Sequence, residues 1–304
     1  MVAAGEAARF EQLVLRFDPR SRLLRTWQLP GGVSALVTVL ELVRPDGQIV
    51  KWIVRRHGEA ETKRNPHIAA AEFRLLHGLH SAGLAVPEPF FFDLSCEIFP
   101  TPYLVIEYVE GSTQSAPSTL ADFVRQIASQ LARIHQVSLA QLDLSSLPQD
   151  TRGFGAAPPV LDSSLGEERI RAVLESLWPL PQRNETVLLH GDYWPGNLLW
   201  KDGQLVAVLD WEDAHLGDPL ADVANCRLEL LWARGSDAMH RFTECYQAIT
   251  SVDFTYLPYW DLCAALRPAS KIGEWGLDQD TENAMREGHR LFVHQAIESI
   301  GRLL

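Results

Sequence analysis

Cysteine is scarce in this chain. Only Cys96, Cys226, Cys245 and Cys263 occur in 304 residues, and none sits in a CxxC spacing. That excludes a disulfide framework or a thiolate zinc site, and it fits buried thiols in a reducing compartment. No apolar run approaches the roughly 18 residues of a membrane span. The first residues, MVAAGEAARFEQLVLRF, carry Glu6, Arg9 and Glu11 where a signal peptide needs an apolar core. The expectation is a soluble cytoplasmic protein with no membrane partner. Basic residues are also in deficit, 27 Lys and Arg against 39 Asp and Glu, for a formal charge of −12. A general nucleic-acid binder needs a basic stripe to replace phosphate counterions, so no nucleic-acid partner is expected. The acidic balance favours solubility and is compatible with a cationic small molecule. Two glycine-rich signatures are missing as well: there is no GxxxxGK[ST] and no GxGxxG after a strand.

What is present divides by pattern. Residues 5–17 read as an amphipathic helix with Phe10, Leu13, Val14 and Phe17 on one side. Strands are expected at 23–28, 34–43 and 49–56, separated by turns at Pro30-Gly31-Gly32 and Pro45-Asp46-Gly47. A helix over 69–79 should turn Phe73, Leu76 and Leu79 inward, and two more strands follow at 90–92 and 103–108. Small and polar residues from Gly111 to Pro117 mark a domain boundary. Beyond it the pattern is helical at 119–137, 167–178, 219–234, 237–250, 257–267 and 280–303, with brief strands at 187–190, 198–200 and 205–210. The expected architecture is α+β: residues 1–111 a small antiparallel-sheet lobe with one helix packed on it, residues 112–304 a mainly helical lobe.

The chemistry concentrates in LHGDYWPGNLLWKDGQLVAVLDWEDAHLGDPLAD. Val187–Leu189 is apolar and should bury, after which His190-Gly191-Asp192 turns out of the core. Pro195-Gly196 makes a further turn that brings Asn197 back toward Asp192. Asp202-Gly203 is a strong hairpin signal, and the hairpin would return Asp210 close to Asn197. Between His190 and Asp222 lie seven Asp or Glu and a single Lys, a density of like charge that repels itself unless a cation is present. Mg²⁺ prefers oxygen ligands and commonly takes one or two carboxylates plus substrate phosphates. The Asn197 amide oxygen and the Asp210 carboxylate suit it, leaving Asp192 free to orient a hydroxyl. Asp218, just before Pro219, is a helix N-cap candidate.

HGDxxxxN followed by hDWExAxxGDPxxD resembles the signature of the aminoglycoside phosphotransferase and choline kinase-like family, small-molecule kinases with a bilobal protein-kinase-like fold. The resemblance implies transfer of the γ-phosphoryl group of ATP or GTP to a hydroxyl of a small-molecule acceptor, with Mg²⁺. By position, it implies Asp192 as the catalytic Asp and Asn197 and Asp210 as metal ligands. His190 would brace the loop, and Asp218 and Asp222 would tie it to the following helix. Gly31, Gly32 and Ser34 resemble the phosphate-covering loop. On the next strand, where the family places a cation against the α/β-phosphates, stand Arg55 and Arg56; Arg55 is favoured, with Lys51 on the same strand face as the alternative. Glu72 resembles the helix glutamate that pairs with this cation. In YLVIEYVE, the backbone of Glu107 and Val109 would contact adenine.

Other features carry bland alternatives. His67, His77 and His80 lack a fourth ligand for zinc. His135 reads as a packed helix residue near the catalytic loop. Trp211, Trp232, Trp260 and Trp275 could frame an acceptor pocket, although core packing is expected for at least two. Arg267, Lys271 and Glu274 decorate a region that shapes acceptor choice in the family. Two rival functions remain open, a nucleotide-binding module without transfer and a metal-dependent hydrolase. A monomer and a homodimer are both compatible with the sequence.

Overall fold

The structure is a computed structural model and describes residues 4–29, 35–142 and 147–302; Gly31, Gly32 and Ser34 lie outside the described residues. The chain forms two compact units. One comprises Met1–Glu110, Ala140–Ser146 and Val206–Leu209; the other comprises Gly111–Leu139, Leu147–Leu205 and Asp210–Leu304. Two later segments thus join the first unit, with the Val208 amide donating to the Ala85 carbonyl at 2.8 Å. No described helix is long and apolar enough to cross a membrane.

The first unit is a five-stranded sheet in the order β1-β2-β3-β5-β4, antiparallel throughout. Its strands are β1 (Arg22–Gln28), β2 (Ala35–Val43), β3 (Ile49–His57), β4 (Pro89–Asp93) and β5 (Tyr103–Glu107). Side chains alternate across a strand, so the sheet has two distinct faces. Leu40, Leu42, Trp52 and Val54 lie on one, where α1 (Ala4–Phe17) contributes Phe10, Leu13 and Val14 to a common core. The opposite face takes α3 (Ile68–Ser81). Between β3 and α3 lies a short helix, α2 (Glu59–Arg64), that the sequence pattern does not reveal.

The phase of α3 is shifted from expectation. Leu76 and Leu79 are buried as anticipated, together with Ala69, Ala70, Glu72 and Leu75. Phe73 is half-buried, its ring 5.1 Å from that of Phe92. The expectation of uniformly buried thiols also needs correction. Cys226 and Cys263 are buried, Cys245 is half-buried, and Cys96 is exposed in the β4–β5 loop.

The second unit is helical: α4 (Leu120–His135), α5 (Glu167–Leu177), α6 (Leu220–Arg234), α7 (Ser236–Ile249), α8 (Leu257–Ala265) and α9 (Gln279–Ile300). Thr119 caps α4 by accepting from the Asp122 amide, and Asp278 caps α9 likewise from Thr281. α6 is buried over most of its length. Leu220, Ala224 and Leu228 join Tyr259, Leu262 and Phe292 in the main core. Short strands carry the loops of interest: β6 (Val187–Leu189), β7 (Leu198–Lys201), β8 (Gln204–Val208) and β9 (His215–Gly217). β6 pairs antiparallel with β9, setting Leu189 opposite His215.

Candidate active site

The β6–β9 ladder sets the chain at Asp213 against the turn after Leu189. Gly191 adopts φ +81°, and a Cβ there would lie 2.1 Å from the Asp213 carbonyl oxygen. Only glycine fits both the backbone and the gap. His190 is fully buried, with its ring 4.6 Å from that of Trp211. Its Nδ1 accepts from the Asp192 amide at 3.2 Å.

Asp222, in the first turn of α6, anchors this turn from below. Its carboxylate accepts from the His190 amide at 2.7 Å and the Gly191 amide at 2.9 Å, and His135 Nε2 lies 3.1 Å from Oδ2. The other imidazole nitrogen of His135 is 2.6 Å from the Tyr246 hydroxyl. Burial pushes the Asp222 carboxyl up, but the hydrogen bond and charge of His135, with His190, hold it below its usual value. Asp218 accepts from the Leu220 amide at 2.9 Å and from Asn184, but the N-cap of α6 is Pro219, one residue later than the sequence suggested.

Asp192 is held on both oxygens. Asn197, at the end of the short 3₁₀ turn Pro195–Asn197, donates through Nδ2 to the Asp192 carbonyl at 2.9 Å and to Oδ2 at 3.1 Å. Arg267, two residues past α8, donates to Oδ1 at 2.8 Å and to the Gly191 carbonyl at 2.6 Å. Burial raises the Asp192 carboxyl above its ordinary value against the opposing charges of Arg267 and His190, and Asp213 adds to the rise.

A cleft of 530 Å³ opens at Asp192, lined by Asp213, Glu229, Trp232, Arg267, Lys271 and Trp275 among others. Trp232 and Trp275 meet edge to face, centroids 6.1 Å apart, and the Trp232 indole N–H is fixed on the Met285 carbonyl. Trp211 and Trp260 are core residues, so the four tryptophans divide evenly. Burial and the neighbouring Asp192 push the Glu229 carboxyl up to about 7. The sequence reading names Arg267 for acceptor choice but not for its hold on Asp192, and it does not name Glu229.

Metal-ligating capacity follows from donor chemistry. Because Nδ2 of Asn197 is turned onto Asp192, its amide oxygen is the atom left to serve as a hard ligand. Asp210, two residues past β8, takes a left-handed φ of 62°, a conformation uncommon outside glycine. Among the described residues no group of three or more His, Cys, Asp or Glu could hold a metal alone. Mg²⁺ sites commonly take one or two protein ligands and complete the shell with phosphate or water oxygens. His67, His77 and His80 form no such group either.

In the first unit, the period of two sorts the candidate cations. Arg56 faces α1, donating to Glu6 at 2.5 Å with its guanidinium 4.8 Å from the Phe99 ring. Arg55 faces α3, its Nε 3.4 Å from Glu72. Lys51 shares the Arg55 face but reaches Glu110 at 2.7 Å and the Tyr108 ring. His57, absent from the sequence reading, places Nε2 3.3 Å from Glu72. Burial raises the Glu72 carboxyl, but Arg55 and His57 overcome this and hold it low. The Glu107 amide donates to the Glu88 carbonyl at 2.8 Å, so only the carbonyl of Glu107 can face a base. Val109 lies just beyond β5, half-buried.

Among curated proteins, the chain is 30% identical over 191 residues to acyl-CoA dehydrogenase family member 10 of Mus musculus, covering 57% of this chain and 18% of that protein. It is 24% identical over 252 residues to acyl-CoA dehydrogenase family member 11 of Homo sapiens, covering 71% and 31%. The chain thus spans less than a third of the length of these relatives. Among solved structures, the GDP complex of aminoglycoside 2'-phosphotransferase-IIIa superposes with a TM-score of 0.66 at 16% identity, covering 95% of this chain and 98% of that one. The macrolide 2'-phosphotransferase of Brachybacterium faecium gives 0.61 at 19% identity, covering 92% and 97%. These likenesses establish the fold, the bilobal kinase-like α+β architecture. A family model of phosphotransferase enzymes matches residues 27–249; the chain belongs to the phosphotransferase enzyme family.

Proposed function

We propose that the protein transfers the γ-phosphoryl group of ATP or GTP to a hydroxyl of a small molecule. The observation that carries this reading is the carboxylate of Asp192, held on one oxygen by Asn197 and on the other by Arg267 at the mouth of a cleft sized for a small ligand. Asp192 orients the acceptor hydroxyl and accepts its proton as the bond to phosphorus forms; its raised affinity for a proton suits that role. Arg55, fixed by Glu72, steadies the α/β-phosphates, and the Glu107 carbonyl with the Val109 backbone contacts the base. Asn197 and Asp210 hold Mg²⁺, which when bound neutralises phosphate charge. The cleft sets Asp213 and Glu229 against Arg267 and Lys271. Those mixed charges favour a polar acceptor with an apolar body, packed on Trp232 and Trp275, over the simple cation suggested by net charge.

The test is a panel of hydroxyl acceptors with Mg·ATP and Mg·GTP. Asp192→Ala should abolish transfer to the acceptor found, while nucleotide affinity stays within a few-fold. Near-normal transfer by that variant overturns the reading. Nucleotide binding without transfer to any acceptor would favour the regulatory module, and acceptor cleavage without nucleotide would favour the hydrolase.

A further inference from the structure

We infer that Arg267 is a positioning residue for phosphoryl transfer, locking the Asp192 carboxylate and the Gly191 peptide into one geometry. The inference rests on the reading of Asp192 given above. One guanidinium bridges two parts of the loop, Nη1 to the Gly191 carbonyl at 2.6 Å and Nη2 to Asp192 Oδ1 at 2.8 Å. Asn197 holds the other oxygen and the Asp192 carbonyl. With both oxygens engaged, rotation of the carboxylate is blocked from two sides, and the two clamps come from segments far apart in the chain. Arg267 follows α8, whose Tyr259, Leu262 and Ala265 are buried in the core, so the clamp is mounted on a rigid support. A planar fork is needed here. A lysine at 267 carries its three donors on one nitrogen and cannot set two separate nitrogens in a fixed plane against the two oxygens.

Arg267 also lines the cleft, so it could instead bind acceptor directly, and the kinetics separate the two roles. A positioning residue acts on kcat, whereas an acceptor-binding residue acts on the acceptor KM. Arg267→Gln should lower kcat by about 10–100-fold with both KM values within about threefold, since small misplacement of a reacting group carries that penalty. Arg267→Lys should recover only part of the loss. In Arg267→Gly, added guanidinium or ethylguanidinium should restore turnover without affecting the parent enzyme, a rescue that a folding defect would not show. An unchanged kcat, or a rise in acceptor KM alone, overturns the inference. Asp192→Asn run in parallel isolates the underlying reading: if it transfers normally, that reading fails, whereas an inactive Asp192→Asn beside a fully active Arg267→Gln refutes only the clamp.

Discussion

Replacing Asp222 should damage this protein more than its distance from the cleft suggests. Its carboxylate receives the His190 and Gly191 amides at 2.7 and 2.9 Å, with His135 Nε2 at 3.1 Å, all in the buried interior. Asp222→Ala leaves two buried amides without acceptors, at about 1–3 kcal/mol each. It also leaves His135 facing a gap. The combined loss should be roughly 3–5 kcal/mol, the range seen when one partner of a buried charged pair is removed. Against a typical stability of about 5–15 kcal/mol, that leaves a folded but weakened protein. Asp222→Asn keeps one acceptor oxygen but turns an amide N–H₂ toward a donor, so it should lose about 1–3 kcal/mol.

Urea unfolding followed by tryptophan fluorescence would measure both losses, provided the slope m stays constant. A loss below about 1 kcal/mol for Asp222→Ala at unchanged m would refute the anchoring role. The pH dependence offers a second check. Asp222 is held below its ordinary value, so its stabilisation is fully present above an unfolded value near 3.9 and fades as pH falls through the lower folded one. The parent protein should therefore lose stability more steeply below about pH 4 than Asp222→Asn does.

Two further outcomes follow from local geometry. Gly191→Ala puts a methyl group 2.1 Å from the Asp213 carbonyl at φ +81°. It should displace the loop and cut turnover on the order of 10²-fold, measured beside a thermal melt that falls by only a few degrees. Glu72→Gln removes the charge that Arg55 and His57 share at 3.4 and 3.3 Å. Nucleotide affinity by calorimetry should weaken while acceptor KM holds, and equal nucleotide affinity would count against Arg55 as the phosphate-steadying cation.

Much of the fold was legible because its signals are local. The strands expected at 23–28, 34–43, 49–56, 90–92 and 103–108 fall on β1 to β5, and the helices expected at 119–137 and 280–303 fall on α4 and α9. Asp202-Gly203 marked the β7–β8 turn, with Asp202 at φ 50° and Gly203 at φ 72°. What escaped was short or long-range. β9 has only three residues and exists because β6 pairs with it. α2 is six residues with no apolar stripe. The phase of α3 shifted because Glu72, a residue that normally faces water, is buried by pairing with Arg55 and His57.

The site divides along the same line. Asp192 and Asn197 are five residues apart, so one turn brings them together and the sequence could suggest it. Arg267 reaches the same carboxylate from 75 residues away, and no local pattern reports that. One signal was readable nonetheless. α6 carries Asp222, Asn225 and Glu229 at i, i+3 and i+7 on one helical stripe, while Arg227 lies off it and pairs with Asp261. In the structure that stripe runs along the candidate site: Asp222 anchors the loop amides, Asn225 donates to the Tyr193 carbonyl at 3.4 Å, and Glu229 lines the cleft. Polar residues on an otherwise buried helix need partners. Here their partners are the loop that carries Asp192 and the cleft beside it, so on the proposed reading the stripe is where a sequence-only search for acceptor-choosing residues should begin.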